Sequence, residues 1–304
     1  MARLAGRVVL IVNPTSGGRR GTRTLHQALL IFRELGVEPE VRVTSAGDEV
    51  PGVSRDAAAT GAYLIVAVGG DGHLAAVAEG LVNTQIRVAL LPAGSANDYA
   101  RTIGMPTRNV RAAIATILEG RTTRVDAMRV TTSAGERTFL NVVGTGFDAE
   151  VAAAAERITL MRGAGRYVLA IMRVLLRFQA ASLQLTIDGR RHDQRAMMIA
   201  IANGPAYGGG MRVAPEARLD SGELESASSA RSPGWRSCAP FRACSVARMS
   251  RIRPLPCSAG EIRIDADRPL ELIGDGERLG MVPATVSVLP GALNVVVGST
   301  YGRD

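Results

Sequence analysis

The chain has 304 residues, enough for one large or two ordinary domains around a real core, and its 46% hydrophobic and 21% charged content is ordinary for a globular protein. No apolar run approaches the ~18–20 residues of a bilayer span, and the opening MARLAGRVVLIVNPTSGG runs into a strand-like segment without a small-residue cleavage site, which points to a cytoplasmic protein. All 36 basic residues are arginine, which excludes a Walker lysine, a Schiff-base lysine and a pyridoxal anchor, while the formal charge of +8 suggests nucleic acid or a membrane surface.

RVVLIV at 7–12 is an aliphatic run of parallel-strand type that ends in the turn signal NPTSGG. TRTLHQALLIFRELG carries apolar residues at helical spacing and a terminal glycine, so it predicts a helix. VEPEVRVT predicts a second strand, YLIVAV at 63–68 a third, LAAVAEGL a helix and RVALLP a fourth strand. Strands alternating with helices predict an α/β fold with a doubly wound, mostly parallel sheet over residues 1–127. Beyond that, MRVTT, RTFLNVVG, SLQLTID and RAMMIAIANG are short strands between turns, and residues 128–288 read as an antiparallel, β-sandwich-like C-terminal domain. LPGALNVVVG at 289–298 is strand-like, and residues 289–304 are placed back with the first domain. No internal repeat is visible.

Three glycine-rich loops each follow a predicted strand: NPTSGG (13–18), GGDG (69–72) and PAGSAND (92–98). In an open α/β sheet ligands bind where strand C-termini meet such loops. Glycine lets backbone N–H groups approach a phosphate closely, and helix N-termini add favourable partial charge. Asp71 within the second loop suits a metal ion or a ribose better than a phosphate.

GGDGHLAAVAEGL followed by ALLPAGSANDYARTIGMP resembles the diacylglycerol kinase and lipid kinase family, which is related in fold to the NAD kinases. FLNVVGTGFDAEV (139–151), IANGPAYGGGMRVAPEARLDSGELE (201–225) and DGERLG (275–280) extend the resemblance to nearly the whole chain. It implies ATP-dependent phosphorylation of a lipid hydroxyl with Mg2+, on a peripheral enzyme at the inner, anionic face of the membrane. Residues 1–127 would then be the nucleotide-binding domain and 128–288 the lipid-substrate domain. By the same resemblance Asn13, Pro14, Thr15, Ser16, Gly17, Thr44, Gly69, Gly70, Asp71, Gly72, His73 and Ser95 surround the nucleotide, with Asn97 and Asp98 in the same element. The acidic DGE element supplies the general base as Glu277 with Asp275 beside it, since a positioned carboxylate assists a poorly nucleophilic hydroxyl. The metal position falls on Asp220 and Ser221.

Four positions depart from the family pattern. His73 stands where the family usually has threonine, Ala76 where it has glutamate, Ser95 for threonine, and Ser221 for an aspartate that helps hold Mg2+. A hydroxyl is a weaker ligand than a carboxylate for a hard cation. Two other readings stay open: an NAD kinase, and a catalytically impaired nucleotide- or lipid-binding protein. No nucleic-acid partner is expected, and a homo-oligomer is left open.

Two segments stand apart. RYVLAIMRVLLRF (166–178) predicts an amphipathic helix with Arg166, Arg173 and Arg177 within about 40° on one face, suited either to packing on the core or to an anionic leaflet. Residues 226–260 hold all three cysteines, the one tryptophan and six arginines with no acid, and so carry +6 of the net charge. Their spacing, C-x5-C-x12-C with no histidine nearby, is not a zinc pattern. Read one base out of frame, with free choice of wobble bases, the segment becomes a string that begins VGVLGAV, continues with helical periodicity and contains RVFRGTHV, which resembles lipid kinases. Two compensating frameshifts near residues 225 and 260 are therefore predicted, and the gene read in both frames checks this.

Overall fold

A computed structural model of the chain describes residues 6–44, 49–158, 169–170, 172–174, 178–229, 253–254 and 259–302. The aliphatic runs form the parallel strands β1 (Arg7–Val12), β2 (Glu40–Val43), β3 (Ala62–Gly69) and β4 (Arg87–Pro92), ordered β2-β1-β3-β4. Leu10, Ile11, Ile65, Val66, Leu90 and Leu91 are completely buried. A strand covered on both faces needs no polar alternation, and each such side chain stabilises by about 1.5–3 kcal/mol.

Helices α1 (Ser16–Glu34), α2 (Val50–Ala59), α3 (Asp71–Glu79), α4 (Asp98–Thr102) and α5 (Val110–Glu119) connect or follow these strands. The first begins six residues before its predicted start, at the turn signal itself. It buries Ala28 and Phe32, four residues apart on one face, and ends at Gly36 with φ +70°. The fifth is capped by the Asn109 side chain, which accepts from the Ala112 N–H at 3.0 Å, and is closed by Gly120 at φ +68°.

Beyond it come β5 (Thr122–Thr132), β6 (Gly135–Phe139), β7 (Val142–Gly146), α6 (Phe147–Arg157), β8 (Ala181–Ile187), β9 (Arg190–Ala196) and β10 (Met198–Ala202). They are followed by β11 (Ala206–Tyr207), β12 (Met211–Arg212), β13 (Glu225–Ser229), β14 (Arg253–Pro254), β15 (Glu261–Ala266), β16 (Glu271–Gly274), β17 (Glu277–Met281) and β18 (Ala284–Val296). RTFLNVVG, expected as one strand, is two: β6 pairs with β5 in the first sheet, and β7 with β10 and β16 in a second. The break falls at Leu140–Asn141, whose N–H groups turn to a side chain described below.

The second sheet, ordered β14-β13-β10-β7-β16-β17, is antiparallel throughout. Its Val143, Ile199, Ile201 and Leu272 share one core with Leu183, Leu185, Ile262, Ile264 and Val286 of the first sheet. The long β18 joins the two regimes of that first sheet. Asn294 and Val295 pair in parallel with β4, whereas Thr285 to Ser287 pair antiparallel with β15, and β5 lies along the other edge. The register shifts between Leu289 and Leu293, where Pro290 cannot donate a ladder bond and Gly291 takes φ +53°.

The helix expected at 166–178 lies largely outside the described residues, as does the segment 226–260 apart from 226–229, 253–254 and 259–260. Of that segment, Ser226 and Ser228 are buried on one face of β13, opposite Ile201 and Ile199. The Ser228 hydroxyl donates to Gln194 Oε1 at 3.1 Å, whereas Ser226 Oγ has no protein partner among the described residues. The shifted reading places valine at both positions. An unsatisfied buried hydroxyl costs about 1–3 kcal/mol. Ser226→Ala is therefore expected to raise the stability in urea unfolding by about 1 kcal/mol, and Ser228→Ala, which deletes a made hydrogen bond, to leave it unchanged or lower.

Candidate functional site

The strand order reverses at β1 and β3, and the loops leaving their C-terminal ends lie side by side at that switch point. Asn13 builds the first loop: its Oδ1 accepts from the Thr15 N–H at 3.0 Å and the Thr15 hydroxyl at 2.7 Å, an Asx turn that leads into α1. The second and third loops meet glycine on glycine. A Cβ on Gly94 would lie 2.5 Å from Gly70 Cα and 2.8 Å from Asn97 Oδ1. Gly69 accepts from Ala93 N and Gly94 N at 2.7 and 3.2 Å.

Because the loops touch, Asp71 reaches across and accepts from the N–H groups of Asp98 (2.8 Å) and Tyr99 (3.2 Å) at the start of α4. Burial pushes the Asp71 carboxyl up to about 6, opposed by those N–H groups and reinforced by the charge of Asp98. Asp98 itself is buried; it accepts from Gly209 N at 2.7 Å and pairs with Arg101.

The second sheet contributes a two-residue hairpin turn between β16 and β17. Asp275 (φ +47°) and Gly276 (φ +88°) have the positive φ values that a type I′ turn requires. The Asp275 carboxylate accepts from the N–H groups of Leu140 (2.9 Å), Asn141 (3.3 Å) and Val142 (3.0 Å), which fastens the turn to the β6–β7 break. Burial pushes that carboxyl up to about 7 against the pull of the three donors. Glu277, the first residue of β17, then lies over the glycine loop: a Cβ on Gly72 would meet its Oε1 at 2.7 Å.

The result is a cleft of about 260 Å3 that brings together Asn13, Ser16, Gly17, Gly70, Asp71, Gly72, His73, Ser95, Asn97, Asp275 and Glu277 from the expected set. Helices α1 and α3 begin at its wall, and neither has a side-chain cap at its N-terminus, an arrangement that favours phosphate. Other expected residues lie elsewhere. Pro14 and Thr15 line a separate depression along α1. Thr44 is buried at the end of β2, its hydroxyl on the Val12 carbonyl at 3.2 Å. Gly69 and Asp98 are not among the lining residues, and Asp98 is buried. The His73 ring packs on Gly69 and places Nε2 3.0 Å from the Ile11 carbonyl, and burial holds its pKa below the ordinary value. A neutral ring that donates to a strand carbonyl is a packing residue on the cleft wall.

Asp220 and Ser221 do not join the cleft lining. Arg218 Nε lies 3.2 Å from Asp220, and Ser221 Oγ is within 3.1–3.2 Å of the Glu223 and Arg218 carbonyls. One carboxylate already paired with a guanidinium and one hydroxyl engaged with the backbone do not fit a hard divalent cation.

Three residues went unremarked in the sequence. Asp126, buried on β5, accepts from Gly222 N at 2.6 Å and Gly291 N at 2.7 Å, which joins the 220–222 turn to the bulge of β18; an acid inside the run RVDAMRV was its available signal. The Tyr99 hydroxyl is completely buried, and its pKa is pushed well above the ordinary value by burial and by facing Tyr301, Asp275, Asp126 and Asp71. Arg137 had no local signal at all.

An α/β sheet whose glycine loops lead into uncapped helix N-termini, faced by a carboxylate from a second sheet, is built to receive phosphate groups. The model of the diacylglycerol kinase catalytic domain matches residues 7–130, and that of the YegS C-terminal NAD kinase beta sandwich-like domain matches 141–297. Diacylglycerol kinase of Mycobacterium tuberculosis is 27% identical over 96% of this chain and 95% of its own length. A Pseudomonas putida protein named "Probable lipid kinase YegS-like" is 33% identical over 73% of this chain and 74% of its own. A diacylglycerol kinase crystal structure from Bacillus anthracis has the same fold, with a TM-score of 0.72 at 24% identity over 97% of this chain and 98% of that one. The chain belongs to the diacylglycerol kinase and YegS-like lipid kinase family. It is a kinase, a transferase with an alcohol as acceptor, and its family membership supports lipid kinase activity. Among the described residues, no helix is long and apolar enough to cross a membrane.

Two outcomes test the geometry. Gly94→Ala forces the Gly70 and Gly94 backbones apart and is expected to destabilise the fold by about 1–3 kcal/mol, read by thermal unfolding, and to cut activity by more than tenfold. The raised Asp71 carboxyl gives a pH dependence. Between its unfolded value of 3.8 and about 6 the folded chain holds more protons there than the unfolded chain, so this group's contribution to stability falls as pH rises. Asp71→Asn is expected to flatten that fall in urea unfolding between pH 4 and 7.

Proposed function

We propose that the chain transfers the γ-phosphoryl group of ATP to the hydroxyl of a diacylglycerol-like lipid presented at the anionic inner surface of the membrane, and works as a peripheral cytoplasmic enzyme. The observation that carries this reading is the position of Glu277 over Gly72, which brings a carboxylate from the β-rich half against the phosphate-type loop of the parallel half. In this reading Asn13, Ser16, Gly17, Gly70 to Gly72 and Ser95 receive the phosphates through backbone N–H groups and hydroxyls, with the α1 and α3 N-termini behind them. Residues 1–127 with 289–304 hold the nucleotide, supported by the pairing of β18 with β4, and 128–288 hold the lipid.

Glu277 accepts the proton of the attacking hydroxyl; Asp275 fixes the turn that carries it through its three backbone donors. Phosphoryl transfer asks the protein mainly for positioning and charge neutralisation. Mg2+ would neutralise phosphate charge when bound; Asp220 and Ser221 do not form a site for it.

The test uses purified protein, labelled ATP with Mg2+, and diacylglycerol in phosphatidylglycerol vesicles, with NAD as the competing acceptor. Labelled lipid phosphate is expected, with kcat about 10²–10⁴-fold lower in Glu277→Gln. Labelled NADP in place of lipid phosphate, or nucleotide binding with no transfer to either acceptor, would overturn the reading.

A further inference from the structure

The Glu277 carboxylate does not reach its place through its own strand alone. Arg137, on β6, lies with Nη2 3.6 Å from Glu277 Oε2 and Nε 3.3 Å from Glu79 Oε2. Glu79 is the last residue of α3, and the same Oε2 accepts from the N–H of Thr138 at 2.9 Å. The helix whose first turn contains Gly72 therefore anchors, at its last residue, the arginine that holds the carboxylate lying over Gly72. Exposures are 30% for Arg137, 39% for Glu277 and 21% for Glu79, so the pair with Glu79 is half-buried and the pair with Glu277 partly open, where an ion pair contributes more to position than to stability. A guanidinium is a planar fork with donors in fixed directions and can engage two carboxylates at once; an ammonium cannot reproduce that geometry in full.

We propose that Arg137 is a positioning residue for the phosphoryl-transfer step: bridged between Glu79 and Glu277, it fixes the carboxylate of the general base relative to the phosphate loop. This rests on the reading of Glu277 as the base. Arg137 touches no reacting atom. It acts through Glu277, so its loss changes the rate of the chemical step and leaves nucleotide binding alone. A misplacement of about 1 Å can cost up to about 100-fold in such a step.

The experiment measures kcat and the KM for ATP with diacylglycerol vesicles for wild type, Arg137→Gln, Arg137→Lys, Glu277→Gln and the Arg137→Gln/Glu277→Gln double variant. Expected are a fall of about tenfold in kcat for R137Q with KM for ATP changed less than twofold, partial recovery in R137K, and a double variant no slower than E277Q alone. Glu79→Gln, which weakens the anchor and leaves the Arg137–Glu277 pair, is expected to lie between wild type and R137Q. Thermal unfolding separates loss of fold from loss of position, and R137K and E79Q carry the test if R137Q does not fold. A rise in KM for ATP at unchanged kcat would make Arg137 a nucleotide ligand and overturn the proposal, as would full additivity in the double variant. If E277Q keeps the wild-type kcat, the base reading itself fails; if E277Q is inactive and R137Q is unimpaired, only the present inference fails.

Discussion

The contact of Gly70 with Gly94 sets the geometry around the cleft. With hydrogen in place of a side chain at both positions, two loops from neighbouring parallel strands close to backbone contact. That approach lets Asp71, at the start of one helix, satisfy the first N–H groups of the next. Two helix termini are thereby locked together by a carboxylate on the cleft wall whose oxygens are taken up by backbone N–H groups.

The second sheet is brought to this place by a different device. A hairpin turn is a weak anchor on its own, and here three N–H groups released by the break between β6 and β7 converge on Asp275. The strand break and the turn are thus one structure. The backbone pays for leaving the first sheet with hydrogen bonds to a side chain of the second. The raised pKa of Asp275 is the residue of that exchange: burial outweighs three donors.

How far this was legible in the sequence depends on whether the cause was local. The parallel strands were, because a strand buried on both faces must be aliphatic along its length. The glycine loops were legible too, since close backbone approach leaves few other residues. Four helices, α2, α4, α5 and α6, escaped notice. In α2 the run VPGVSRDAAA opens on proline and glycine, and α5 announces itself chiefly through its Asn109 cap and Gly120. The break in RTFLNVVG was invisible because Asp275, 135 residues from Leu140, causes it. Glu277 could be named only through a resemblance, as the pair DG reads equally well as a plain turn, which it also is. The inward turn of His73 and the engagement of Ser221 with backbone carbonyls depend on the shape of their surroundings, which a residue name does not carry.

Strand β18 has a consequence for how the molecule is made. The parallel sheet leaves the edge of β4 open until a strand some two hundred positions later in the chain arrives to cover it. During synthesis the first half therefore waits with an unpaired, strongly aliphatic edge, the kind of surface on which other strands add. Its native partner arrives only by closing a very long loop, which is slow. A growing chain of this architecture has reason to depend on chaperones while it waits, and any lesion that delays or misdirects the segments between β13 and β18 would leave that edge exposed for longer.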